Sequence, residues 1–153
     1  MTKLFTPFQL QGQSLSNRVV LGPLTRSRAP EDIATERVAL YYTQRATAGL
    51  LISEGTPVSR EGQGYLFNPG IFTAAQIEGW KLTTQSVHAV GGKIFAQLWH
   101  VGRVSHVSIQ EQNQAPVAPS AIQAVGAMSY GYQADGTAAM IEASMPRALD
   151  TAE

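Results

Sequence analysis

The chain contains no cysteine among its 153 residues. This absence excludes disulfides, thiolate metal ligands and cysteine nucleophiles, and it fits a reducing compartment. Residues 1–7 also lack the apolar core of a secretory signal peptide. We therefore expect a cytoplasmic location.

Charge is scarce as well. Charged residues make up 14% of the chain, against about 25% in an average domain. Basic and acidic residues balance at 11 each, so no positive field exists to hold nucleic acid or an anionic membrane surface. No uncharged apolar run approaches the ~20 residues of a membrane span. The expected partners are therefore neither nucleic acid nor membrane, and sparse surface charge favours self-association.

The apolar residues form short runs that alternate with amphipathic stretches. One helix is predicted over residues 35–47, where apolar residues share one stripe. A second helix is predicted to begin at Thr73, which forms a capping box with Gln76. Buried strands are predicted at residues 18–22, 50–53 and 93–99. Strands that alternate with helices predict a parallel sheet with helices outside it.

The remaining segments complete the predicted organisation. Residues 1–17 read as a β-hairpin that caps the α/β region of residues 18–103. Residues 104–146 form a long loop or excursion rich in proline and glycine, and residues 147–153 read as the start of another helix. A (β/α)8 barrel takes eight strands and about 250 residues, so the chain is either a small open α/β domain or part of a larger barrel.

Polar residues follow each predicted strand. They are the segments Pro23–Arg26, Ser53–Thr56 and Gln97–His100. Because parallel strands align their carboxyl ends, these segments can reach one ligand. The three histidines, His88, His100 and His106, fit no zinc spacing, so no metal site is predicted.

These motifs resemble a known family. The stretches Asn17–Arg28, Leu51–Thr56 and Gln97–Arg103 resemble the first three strands of the old yellow enzyme family of flavin-dependent ene-reductases, and Gly62–Tyr65 and Ala115–Ser120 extend the likeness. The family implies a (β/α)8 barrel that holds FMN tightly but non-covalently and is reduced by NAD(P)H. Its substrates are activated alkenes such as α,β-unsaturated carbonyls, maleimides and nitroalkenes. The likeness makes this chain the N-terminal part of such a barrel, about three strands of eight, with the family's carbonyl-binding pair and proton-donating tyrosine further along.

The resemblance also implies roles for individual residues. The backbone at Pro23 and Leu24 would contact the ribityl chain and ring, and Thr25 would hydrogen-bond near N5 and O4 to tune the flavin. The Gly55 N–H would reach O4, and the Gln97 amide would pair with the N3/O2 edge. Tyr65 and Trp99 would line the substrate pocket.

Each of these residues also has a plain structural interpretation. Thr25 could satisfy the turn after Pro23, Gln97 could be a barrel-interior amide, and Gly55 could be an ordinary strand-end glycine. Tyr65 and Trp99 could simply pack in a core. At the level of the whole protein, the alternative is a non-catalytic half-barrel that self-associates without flavin. The expected partner is a complementary chain that carries the rest of the barrel, or a second copy, and the isolated chain is expected to be inactive.

Overall fold

The computed structural model describes residues 3–153, so the first two residues of the predicted 1–17 segment lie outside the described part. Two α-helices occur in the described residues, α1 (Glu36–Thr43) and α2 (Ala74–Ala89). The described strands, in chain order, are β1 (Phe8–Leu10), β2 (Gln13–Leu15), β3 (Val20–Leu21), β4 (Leu50–Pro57), β5 (Ile94–Trp99), β6 (Val117–Ala118), β7 (Met128–Tyr132), β8 (Ala138–Glu142) and β9 (Arg147–Ala148).

Strands β3, β4 and β5 form the predicted parallel sheet, with β4 in the centre. Both helices pack together on one face of this sheet. The core between them contains Val38 and Tyr42 from α1, Trp80 and Val87 from α2, and Leu51 from β4. The α/β alternation expected from the sequence is therefore present, and its helices lie on a single side of the described strands.

Helix α2 begins where the sequence predicts. Thr73 accepts a hydrogen bond from the Gln76 backbone N–H at 3.2 Å, and the Gln76 side chain accepts one from the Thr73 N–H at 3.1 Å. Its buried face, however, is set by Trp80, whose Nε1–H donates to the Gly70 carbonyl at 3.0 Å. Ile77, an apolar residue of the same helix, is 41% exposed.

A β-hairpin, β1–β2, precedes the parallel sheet. Its turn residues Gln11 and Gly12 both adopt left-handed φ values, 42° and 86°. Such a two-residue turn matches the twist of the paired strands, and glycine adopts this conformation without strain.

The excursion over residues 104–146 breaks the βα rhythm as expected, yet it is not structureless. Strands β7 and β8 form an antiparallel hairpin within it. This hairpin is attached to the segment after β4, because the Leu66 N–H donates to the Tyr130 carbonyl at 2.8 Å. Tyr65 and Tyr130 form an isolated parallel bridge beside this bond.

The prediction of a helix starting at residue 147 is wrong. Residues Arg147–Ala148 form β9, which pairs in parallel with β6. The Arg147 N–H donates to the Pro116 carbonyl at 2.8 Å, and its guanidinium binds both Glu61 and Glu153. These long-range partners, which local propensity does not contain, outweigh the helix-start signal.

The three-stranded sheet is not closed within residues 3–153. Along β5, the side chains of Phe95 and Leu98 are 49% and 64% exposed. Neither helix of the described chain has the length and apolar character needed to span a membrane.

Candidate functional site

The three predicted segments meet at the carboxyl ends of the parallel strands. Gly55 of β4 lies directly opposite Gln97 of β5 in the ladder. On the other side of β4, the Arg26 N–H donates to the Glu54 carboxylate at 2.9 Å. Because Thr25 precedes Arg26 and Glu54 precedes Gly55, direct contacts connect all three strand ends.

The residues at this edge differ in exposure. Pro23, Leu24, Thr25 and Gln97 are exposed, whereas Gly55 is buried. The exposed group therefore offers a threonine hydroxyl and a primary amide to a ligand, beside an apolar leucine.

A β-bulge lies at the centre of the site. The register of β4 and β5 shifts between Ile52 and Gly55, so Ser53 and Glu54 face a single residue of β5. The Glu54 N–H donates to the Tyr42 hydroxyl at 2.7 Å. The hydroxyls of Ser53 and Thr56 donate to the Glu54 carbonyl at 2.8 and 2.9 Å. Side chains thus satisfy the backbone groups that the bulge removes from the ladder.

The Glu54 side chain is buried beneath the site, with 1% of its surface exposed. Burial raises the pKa of Glu54, and the hydrogen bond and positive charge of Arg26 oppose this rise. Burial also raises the pKa of Tyr42, and the Glu54 charge adds to that rise. Tyr42 is therefore a neutral phenol at neutral pH, and Glu54 is anchored by its contact with the loop after β3.

An aromatic side chain, Trp99, lies against Gly55, and a second, Tyr65, stacks on it. The rings of Tyr65 and Trp99 stack, with centroids 5.8 Å apart and planes inclined by 21°. A Cβ atom built on Gly55 would overlap Cε3 of Trp99 and lie 2.7 Å from its Cδ2. Trp99 thus occupies the space that a side chain at residue 55 would need. The glycine leaves the room that the indole needs, a role that the sequence did not indicate.

Other side chains in the neighbourhood have structural partners. His100 Nδ1 accepts from the Gly102 N–H at 3.1 Å, and His106 Nδ1 accepts from the Ser108 N–H at 3.1 Å. Burial lowers the pKa of His106. No group of three or more potential metal ligands occurs in residues 3–153.

Sequence reasoning placed Thr25, Gly55, Gln97, Tyr65 and Trp99 in one site, and the structure brings them to one edge of the sheet. It included Ser53–Thr56 among the ligand-facing segments, but it did not predict that Ser53, Glu54 and Thr56 form a buried support under the site. It missed Tyr42 and Asn68, which belong to the same support. The available signal was the run of polar residues inside an apolar strand, because buried polar groups need partners.

The chemistry of this edge fits a flat heteroaromatic cofactor. The exposed amide of Gln97 offers both a donor and an acceptor, which matches a uracil-like ring edge. The exposed Thr25 hydroxyl supplies a further donor at the neighbouring strand end. The Tyr65–Trp99 stack adds a planar aromatic wall beside them. These residues are therefore suitable for holding the ring of FMN.

Comparison with known proteins shows the family to which the chain belongs. Residues 3–145 match the family described as NADH:flavin oxidoreductase / NADH oxidase. The chain is 49% identical over 115 residues to 12-oxophytodienoate reductase 1 of Oryza sativa subsp. japonica, a match that covers 74% of this chain and 30% of that protein. It thus spans about a third or less of the length of the curated relatives it matches.

Solved structures give the same result. Morphinone reductase in complex with tetrahydroNAD superposes with a TM-score of 0.95 at 52% identity, over 99% of this chain and 42% of that chain. The old yellow enzyme homologue of Zymomonas mobilis gives a TM-score of 0.88 at 43% identity, over 99% and 41%. The three parallel strands and two helices are therefore part of a (β/α)8 barrel fold, as the resemblance implied. The chain belongs to the NADH:flavin oxidoreductase / NADH oxidase family, the old yellow enzyme type that its strand-end motifs resemble.

Proposed function

We propose that this chain forms the flavin-edge wall of an FMN-dependent NAD(P)H oxidoreductase. The proposed reaction is reduction of the activated C=C bond of α,β-unsaturated carbonyls, maleimides or nitroalkenes. FMN, when bound, carries the hydride from NAD(P)H to the alkene. NAD(P)H as the reductant suits a cytoplasmic location. One observation carries the proposal: Thr25, Gly55 and Gln97 lie at one sheet edge in a member of this family.

Each residue at the edge has a distinct proposed role. Gln97 pairs with the pyrimidine edge of the ring through its exposed amide, and the Gly55 N–H donates to a ring carbonyl oxygen. Thr25 donates a hydrogen bond that stabilises the negative charge of the reduced ring. Pro23 and Leu24 provide backbone contact along the ring and ribityl chain.

Tyr65 and Trp99 form the proposed substrate wall. Trp99 lies against Gly55, on the same face of β5 as Gln97, and the Tyr65 ring stacks on it. A planar apolar surface beside a hydride donor suits a flat conjugated alkene and excludes water.

The rest of the barrel is proposed to come from a complementary polypeptide. Phosphate groups in such barrels bind after strands 7 and 8, whereas the described residues contribute three parallel strands. The strongest anionic contact to FMN thus lies outside this set of strands. We expect the chain alone to bind FMN weakly or not at all, and flavin fluorescence titration measures this; tight stoichiometric binding would contradict the expectation.

A second candidate follows from the exposed strand β5. Its exposed Phe95 and Leu98 suit a flavin-free module that pairs with a second copy of itself. Colour separates the two ideas. A colourless homo-oligomer that never takes up flavin, even with barrel-completing polypeptide present, would favour the second candidate.

The proposed function is tested in a chimera. This chain replaces the segment of morphinone reductase that it matches, and the purified product is assayed for bound FMN and for NADH oxidation coupled to loss of an enone chromophore. Retention of both is expected, since 52% identity and a TM-score of 0.95 leave the interfaces similar. A well-folded chimera with no flavin would overturn the proposal.

Matched variants locate the site within the chimera. Gln97→Leu removes the exposed amide, and we expect FMN binding about tenfold weaker or worse from the loss of two hydrogen bonds. Gln85→Leu is the control, because Gln85 lies on the exposed side of α2. Equal FMN affinity in the two variants would remove Gln97 from the site.

A further inference from the structure

The β-bulge before Gly55 is held by buried hydroxyls rather than by the strand ladder. Ser53 and Thr56 are fully buried, with 0% of their surface exposed. Their hydroxyls lie 3.2 Å apart and converge on the same acceptor, the Glu54 carbonyl. One hydrogen bond is enough to satisfy a buried carbonyl, yet the Glu54 carbonyl accepts two.

That carbonyl belongs to the peptide that contains the Gly55 N–H. Because the peptide unit is planar, fixing the direction of the Glu54 carbonyl also fixes the direction of the Gly55 N–H. Hydrogen bonds to the carbonyl also polarise the peptide, which makes its N–H a stronger donor. The two hydroxyls therefore act on orientation and on donor strength together.

Ser53 connects this peptide to β5. Its oxygen accepts from the Gln97 N–H at 3.0 Å while its proton points to the Glu54 carbonyl. One hydroxyl thus connects the Glu54–Gly55 peptide with the Gln97 backbone. Gly55 and Gln97 are the two residues proposed to contact the flavin ring.

The next peptide is held in the same way. The amide Nδ2–H of Asn68, a fully buried residue, donates to the Gly55 carbonyl at 2.8 Å. The Asn68 Oδ1 atom has no hydrogen-bond partner in the described structure. An unpaired buried acceptor is costly. The hydrogen bond that holds the Gly55 carbonyl is a role for Asn68 that offsets this cost.

From these contacts we propose that Ser53 and Thr56 are positioning residues for the flavin edge. They set the direction of the Gly55 N–H and the placement of Gln97, and through them the affinity for FMN and its reduction potential. The inference rests on the proposed function. Both hydroxyls are fully buried, so both are proposed to act through the residues that they hold.

The test uses Thr56→Val and Ser53→Ala, with Thr83→Val as the matched control. Thr83 is equally buried, and its hydroxyl donates to the Gly79 carbonyl at 3.2 Å within α2, away from the strand ends. In the isotopically labelled chain without flavin, we expect the amide resonances of Gly55 and Gln97 to shift in the two site variants and to stay in place in the control. Unmoved resonances would overturn the positioning role.

The second measurement is FMN binding and midpoint potential in the morphinone reductase chimera. We expect about three- to tenfold weaker binding for each site variant, the loss that one neutral hydrogen bond produces. Thr56→Ser, which keeps the hydroxyl, should restore affinity and potential. If Thr83→Val weakens FMN as much as the site variants do, the hydroxyls are merely structural and the proposal is wrong.

The two proposals fail differently. A chimera with the unaltered chain that holds no FMN would refute the proposed function, and with it any role toward the flavin. The amide resonances would still show whether Ser53 and Thr56 hold the peptide. Tight FMN binding by the unaltered chimera together with unchanged affinity in both site variants would refute the positioning inference alone.

Discussion

Replacing Gly55 by alanine tests the central packing contact of the site. The added methyl group would overlap Cε3 of Trp99 and lie 2.7 and 2.8 Å from its Cδ2 and Cζ3 atoms. Real Cβ contacts are not this short, so the indole must move. Because Trp99 also stacks on Tyr65, the aromatic wall must move with it.

The magnitude follows from the cost of overpacking. Inserting a methyl group into a packed site costs about 1–3 kcal/mol. Alanine also lowers the conformational entropy of the unfolded chain, which offsets about 0.4–1 kcal/mol of this cost. We expect a net loss of about 1–2 kcal/mol in the free energy of unfolding. For a chain of this size, that corresponds to a fall of roughly 2–8 °C in melting temperature.

The assay is urea denaturation followed by far-UV circular dichroism, with near-UV spectra to report the Tyr65–Trp99 stack. Gly22→Ala is the control, because a Cβ atom at Gly22 meets nothing within 4 Å. That variant should lose no stability, with a gain of up to about 1 kcal/mol from the unfolded chain, and it should keep its near-UV signal. Equal stability of the two variants would refute the steric reasoning.

A double-mutant cycle sharpens the same test. Trp99→Leu removes the ring that a methyl group on residue 55 would strike. Gly55→Ala should therefore cost much less in the Trp99→Leu background, giving a coupling of about 1 kcal/mol or more. Additive effects would show that the clash lies elsewhere.

Three further outcomes are expected. Burial raises the pKa of Glu54, so the folded chain binds this proton more tightly than the unfolded chain and loses stability as pH rises above about 4.5. Glu54→Gln should reduce this pH dependence of the free energy of unfolding, measured by urea denaturation at several pH values. Glu78→Gln, at an exposed carboxylate, should leave the pH dependence unchanged. Thr73→Ala should lower the free energy of unfolding by about 1 kcal/mol through loss of the capping box, and Thr84→Ala should change it less. Leu98→Lys, at an exposed β5 position, should reduce self-association through the Leu98 face in sedimentation velocity; an unchanged oligomer distribution would show that this face of β5 is not the contact.

The sequence predicted those parts of the fold that local chemistry decides. The parallel order of β3, β4 and β5 follows from short apolar runs separated by amphipathic stretches. The start of α2 follows from two side chains that satisfy each other's backbone groups three residues apart. Both signals are contained in a few neighbouring residues.

Other parts depend on contacts across long separations. Strand β9 exists because Arg147 and Leu149 bond to backbone of residues 116–118, and no local pattern contains that pairing. The β7–β8 hairpin did carry a local signal, Asp135-Gly136, with Gly136 at φ 82°. The strand pattern does not reinforce this signal, because β7 buries Ser129 and Gly131 while Met128 and Tyr132 are exposed, the reverse of the usual apolar-inward alternation.

The site was predictable in position but not in its supporting contacts. Alignment of strand ends follows from the parallel sheet, so the proximity of Thr25, Gly55 and Gln97 could be expected from the sequence. The bulge at Ser53 and Glu54 could not, because a register shift is visible only once β5 is paired. The overlap of Trp99 with the empty side of Gly55 likewise depends on a side-chain direction 44 residues away.

The two faces of β5 bear on the choice between barrel completion and self-pairing. Side chains alternate along a strand, so Leu98 lies on the same face as Ile94, which packs against the helical core. Phe95 and Gln97 lie on the opposite face, with the candidate site. The side chains of Phe95, Gln97 and Leu98 are all exposed. Strands of a parallel sheet are normally covered on both faces. A second copy paired along the β5 edge would satisfy the backbone but leave the Leu98 face bare. A further helix and strand would cover that face and the edge together, which favours the proposed completion of the barrel over self-pairing.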